Sequence, residues 1–144
     1  TGARRPLVVG DRLDTDIEGA VAAGADSMLV LTGLTTPGLL VAAPRGQRPT
    51  YVAADVAGLL QPQPAVTCGE KEATCAGFTA SRVGDALLLS GSGEDAVDAL
   101  RALCGASWSA DGQPQAIRAA GAAAAAALRD LDLPTASRTT TGFR

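Results

Sequence analysis

Leu7-Val8-Val9-Gly10-Asp11-Arg12-Leu13-Asp14-Thr15-Asp16-Ile17-Glu18-Gly19-Ala20 is the stretch on which the reading of this chain turns. Pro6 to Val9 is a short apolar run. It stops at a Gly-Asp pair, crosses a polar loop and enters a segment with helical spacing. A buried strand that ends in carboxylates and feeds a helix presents acidic groups at the carboxyl edge of a parallel sheet, where open α/β folds bind their ligands. Asp11 and Asp16, five residues apart, both stand at that edge. Two oxygen donors with little else suit a hard cation such as Mg2+, which keeps several waters and is often shared with a substrate phosphate. On the residues alone a blander reading stays open, in which the acids cap the following helix and Asp16 serves as its N-cap. An EF-hand reading of Asp14-Thr15-Asp16-Ile17-Glu18-Gly19 fails. The twelfth position would be Ala25 rather than a bidentate Glu, and a strand precedes the loop.

The neighbouring residues extend the pattern. Ser27 to Leu31 reads as a second buried strand, and Gly24 as the stop of a helix over 16–23. Two apolar strands joined through a helix imply a parallel pair with a right-handed crossover. Thr36-Pro37 predicts a short helix to about residue 42, with Pro in the first turn. Tyr51 to Ala53 reads as a third strand, and Asp55 as the cap of a turn to Leu60. Thr32 and Gly33 read as turn residues, and Arg12 as a partner of the acids beside it. The order strand, helix, strand, helix, strand, helix is half of a doubly wound sheet, and half a sheet leaves an exposed edge.

Gly10 to Ile17, followed by Gly19-Ala20, Ala23-Gly24 and Leu29-Val30-Leu31-Thr32-Gly33, resembles the fourth motif of haloacid-dehalogenase-type (HAD) phosphatases, closest to the NagD-like and 4-nitrophenyl-phosphatase-like branch. The likeness covers roughly residues 7–60. It implies that Asp11 binds Mg2+ directly and that Asp16 helps hold the metal or its waters; Asp14 carries no inherited role. It also implies hydrolysis of a small phosphomonoester through an aspartyl-phosphate. The family's nucleophile motif, Asp-x-Asp-Gly after a strand, does not occur here, and the single lysine, Lys71, lies downstream of the metal loop instead of upstream. The expectation is therefore the C-terminal portion of a longer enzyme, inactive by itself, with the N-terminal half of the same enzyme and a small phosphorylated metabolite as partners. The appended region resembles the actinobacterial type of these phosphatases, which implies a glycerol-3-phosphate-like substrate.

The expected fold class is α/β: residues 1–60 as the C-terminal part of a doubly wound, Rossmann-like HAD core, 61–64 as a linker, 65–133 as a small appended α+β region, and 134–144 as a disordered tail. Gln61-Pro62-Gln63-Pro64 marks the break, because two prolines prevent a regular element from crossing it. Beyond it, Ala73–Thr79 and Asp85–Ser90 read as strands. Ser92 reads as the cap of a helix from Glu94 to Cys104, and Asp111-Gly112 as a turn. Pro114 to Leu131 reads as a second helix, with Ile117, Gly121, Ala124, Leu128 and Leu131 at helical spacing. Region 65–133 is also similar in part to an acetyltransferase-like α/β fold, whose pyrophosphate loop is glycine-rich. In Gly91-Ser92-Gly93, however, Glu94 and Asp95 follow at once and would repel an anion, and Leu88 stands where such a loop has Arg or Gln. These glycines read as structural.

Composition narrows the remaining classes. The chain has 144 residues, of which 47% are hydrophobic but only 3% aromatic, so the core side chains are small and each buries little area. A net charge of −3 without a concentrated basic stretch argues against nucleic acid and anionic membranes as partners. No apolar run approaches the ~20 residues of a membrane span. The absence of histidine excludes Ser-His-Asp catalysis and His-ligated zinc. Cys68, Cys75 and Cys104 lack metal-site spacing and read as reduced thiols of a cytoplasmic protein. The alternative to a phosphatase portion is a non-catalytic assembly module, in which 65–133 packs on a partner or on another copy in a homo-oligomer.

Overall fold

Apolar runs too short for helices make the first strands of the chain. A computed structural model of the protein describes residues 6–32, 34–109, 114 and 116–135. It divides into two compact units, Thr1–Gln63 and Pro64–Arg144. The mixed α/β content follows the sequence-based expectation of the fold class.

In the first unit, β1 (Leu7–Gly10), β2 (Asp26–Val30) and β3 (Tyr51–Ala53) form a parallel sheet in the order β1-β2-β3. The register sets Val9 beside Met28 and Met28 beside Tyr51. Met28, Val30 and Ala53 form a buried cluster against which Val9 packs. A strand whose face is covered in this way reads as a continuous apolar run, which is why β2 was legible. Ser27, almost fully buried, and Thr50 exchange hydrogen bonds at the sheet margin: the Ser27 amide donates to Thr50 Oγ1 at 3.0 Å, and the Thr50 amide donates to Ser27 Oγ at 3.3 Å.

The crossover from β1 to β2 is not the single helix expected over 16–23. One π-helical turn, Leu13–Ile17, precedes α1 (Glu18–Ala22). Its defining bond runs from the Ile17 amide to the Arg12 carbonyl, five residues back, at 3.2 Å. This wider turn buries Leu13 and Ile17 together. Asp16 is not an N-cap; it lies inside the turn. Gly24, at φ +73°, ends the helix as expected. α2 (Pro37–Val41) starts at Thr36, whose hydroxyl accepts from the Leu39 amide at 3.2 Å, and Asp55 accepts from the Ala57 amide at 2.9 Å. Both caps follow from local sequence.

The second unit is a five-stranded sheet in the order β4-β5-β6-β7-β8: Thr67–Cys68, Glu72–Cys75, Phe78–Val83, Ala86–Gly91 and Ala116–Ala119. The first three pairings are antiparallel and the last is parallel. The strand expected over 73–79 is broken at Ala76-Gly77, where both residues take positive φ and the chain reverses. α3 (Ala96–Trp108) is capped by Asp95, whose carboxylate accepts from the Val97 amide at 2.9 Å, rather than by Ser92. The helix expected over 114–131 is wrong in its first part. Residues 116–119 are β8, which sets Ile117 beside Leu87, and only α4 (Ala122–Asp130) is helical. Pairing with β7 overrides a helical periodicity in which alanine satisfies almost any template. The turn expected at Asp111-Gly112, Gly33, and residues 136–144 of the expected tail lie outside the described residues.

Candidate metal centre

The carboxyl end of β1 is shaped by one close approach. At Gly10 a Cβ would collide with the Cβ, Cγ and Oδ2 of Asp16. The π turn thus folds the Asp16 carboxylate back onto the backbone of Gly10, next to Asp11, and only glycine leaves room for it. Asp11 and Asp16 are both half-buried. The loop is tied from the other side by Thr35, which is 7% exposed and whose hydroxyl donates to the Asp11 carbonyl at 2.8 Å. Thr35 was not singled out from the sequence. A threonine 24 residues away carries no local signal of that bond.

Arg12 and Asp14 pair with each other. Arg12 donates from Nε to Asp14 Oδ1 and from Nη2 to Oδ2, both at 3.1 Å, a two-pronged fork. Asp14 raises the Arg12 guanidinium above its ordinary value, chiefly through that hydrogen bond, with smaller attractions from Asp16 and Asp11. The same bond holds the Asp14 carboxyl below the usual range. The pair walls a cavity of about 480 Å3 whose other lining includes Leu34, Leu39, Ala42 and Pro44. Gln47 stands at its rim and donates to Glu18 at 2.9 Å.

As a candidate donor set, Asp11 and Asp16 would offer two carboxylates. Among the described residues no group of three or more His, Cys, Asp or Glu is gathered to hold a metal. Two carboxylates suit a cation that retains waters and shares its remaining positions with a ligand.

The glycine loop of the second unit is built differently. The Ser92 amide donates to the Gly77 carbonyl at 3.0 Å, and a Cβ on Gly93 would meet the Phe78 ring at 2.5 Å. The glycines permit close packing of this loop on the β5–β6 turn, the structural role expected for them. Among the described residues no helix is long and apolar enough to cross a membrane.

Comparison with known proteins places these features. Residues 2–59 match the family model of HAD-hydrolase-like proteins, and residues 75–133 that of the GCN5-related N-acetyltransferase-like domain. The first of these matches makes the first unit similar to the haloacid-dehalogenase-like hydrolases. The chain is similar to D-glycerol 3-phosphate phosphatase of Mycobacterium tuberculosis, with 55% identity over 58 residues, which are 40% of this chain and 16% of that protein. The crystal structure of a glycerol phosphate phosphatase from M. tuberculosis in complex with magnesium has the same fold over 91% of this chain (TM-score 0.73, 36% identity), and that of its complex with calcium over 93% (TM-score 0.73, 34% identity). The chain spans 39% and 40% of those two structures.

Proposed function

We propose that this chain is the metal-holding portion of a magnesium-dependent phosphatase that acts on a small phosphomonoester. The observation that carries the reading is the Asp16 carboxylate lodged against Gly10 beside Asp11. Asp11 would bind Mg2+ directly, and Asp16 would hold it or its waters. When bound, the metal neutralises phosphoryl oxygens and acts as a template for the substrate. The chain's own contribution is positional. The π turn sets Asp16, Thr35 fixes the backbone of Asp11, and the buried Leu13 and Ile17 make the loop rigid. The reading requires an aspartyl nucleophile, an aspartyl-phosphate intermediate and a lysine supplied by another segment of the same enzyme. The likeness to glycerol phosphate phosphatases supports a glycerol-3-phosphate-like substrate. Their metal complexes support Mg2+ as the cation. A cytoplasmic location is part of the same proposal.

Calorimetric titration of Mg2+ into the chain, with Asp11→Ala beside it, tests this reading. Saturable heat in the wild type that disappears in the variant is expected. Equal binding by both proteins would remove Asp11 from the site. Binding by neither would favour the assembly-module alternative, unless adding the rest of the enzyme restored it.

A further inference from the structure

An arginine inside a loop built to hold a cation is a liability. Arg12 follows Asp11 directly, its side chain is 48% exposed, and its long stem has the freedom to turn. Asp11 and Asp16 are its nearest alternative anions, and both already attract its charge. A guanidinium laid across two carboxylates makes strong charge-assisted hydrogen bonds. It would occupy the oxygens that a divalent cation needs. In the structure this does not occur: Arg12 is engaged at both Nε and Nη2 by Asp14, and among the described residues no ion pair joins it to Asp11 or Asp16.

The pair is too exposed to have much value for stability. Its members are 48% and 59% exposed, and such pairs contribute little to folding. Its consequence is position. The fork holds the guanidinium on Asp14, and both residues line the 480 Å3 cavity. We infer that Asp14, the acid between the two candidate metal ligands, is a positioning residue that pins Arg12 and so keeps the Asp11 and Asp16 carboxylates open to a divalent cation. This rests on the metal reading proposed above and gives a role to the one acid of the loop that has no inherited one.

The test is a double-mutant cycle on the 144-residue chain, with Mg2+ affinity read by calorimetry in the wild type, Asp14→Asn, Arg12→Gln and the double variant. Asp14→Asn is expected to weaken binding by about tenfold, because the freed guanidinium competes for the carboxylates. Arg12→Gln alone stays within about twofold of wild type, since Arg12 is already held away, and the double variant returns to that level. Loss caused by misfolding would persist in the double variant. A plain change of charge would be additive, with Arg12→Gln strengthening binding by the factor that Asp14→Asn weakens it. Additive behaviour, or an Asp14→Asn variant that binds like wild type, overturns the inference and leaves the metal reading intact. No binding by the wild type, either alone or with the rest of the enzyme added, overturns both.

Discussion

The carboxylate of Asp16 occupies the space that a side chain on Gly10 would fill. A strand residue and a residue six positions later are thus locked by shape, and the lock needs both a missing Cβ and a π turn. π turns often mark functional sites, because the extra residue re-aims a side chain that a regular helix would direct elsewhere. Here the re-aimed group is one of the two carboxylates that we propose hold the metal.

Gly10→Ala follows from that contact. The added methyl has to displace Asp16 or push β1 out of register with β2. The expected loss of stability is about 1–3 kcal/mol, as for overpacking in a well-filled site. Mg2+ binding should weaken in parallel. Thermal unfolding together with titration checks this, and a variant as stable and as metal-competent as wild type would show that the loop adapts freely.

Thr35→Val keeps the shape of the side chain and deletes the bond to the Asp11 carbonyl. Because Thr35 is nearly fully buried, the acceptor loses its partner where water is scarce, at a cost of about 1–2 kcal/mol. Thr35→Ser retains the hydroxyl and should recover most of that loss. Urea unfolding of the two variants side by side measures the difference.

Gly105→Ala, within α3, should destabilise the second unit although alanine is the better helix former by roughly 1 kcal/mol. Its Cβ would stand 2.8 Å from the Ala73 Cβ, 2.9 Å from Val66 Cγ1 and 3.2 Å from Cys68 Sγ. Crowding against two strands outweighs propensity, for a net loss of about 1–2 kcal/mol. A rise in melting temperature would show that propensity wins.

Cys75 supplies a pH dependence. Burial first, and then the nearby Asp98 carboxylate, push its thiol from 9.0 up to about 11. The folded state therefore holds the proton more tightly than the unfolded chain. Its contribution to stability is complete below pH 9 and is lost as pH rises through about 11. The expected decline over that window is about 2 kcal/mol. Urea midpoints at pH 8 and pH 10.5 should separate the wild type from Cys75→Ala, whose curve is flatter. Equal slopes would exclude the thiol as the cause. Thiol labelling of the folded protein should reach the exposed Cys68 well before the buried Cys75 and Cys104.

The features legible in the sequence are those that depend on a few consecutive residues. Pro6 to Val9 and Ser27 to Leu31 announced strands because each is an apolar run too short for a helix. Thr36-Pro37 and Asp55 announced caps because a hydroxyl or carboxylate reaches an amide two or three residues on. The Gly-Asp loop announced its acids, and its likeness to a phosphatase motif announced the class. The prolines at 62 and 64 lie beside the division between the units, at Gln63 and Pro64.

Tertiary structure decided what depends on residues far apart or on a choice between equals. Residues 116–119 became a strand because β7 offered an open row of backbone donors and acceptors, which outweighs the weak preference of an alanine-rich segment. Thr35 became a partner of the Asp11 loop only when folding brought its hydroxyl to the Asp11 carbonyl. Three acids surround Arg12 in sequence, and geometry alone assigned it to Asp14, with no ion pair to Asp11 or Asp16 among the described residues. Local chemistry names the candidate ligands; their arrangement requires a backbone that wraps six residues back onto a glycine.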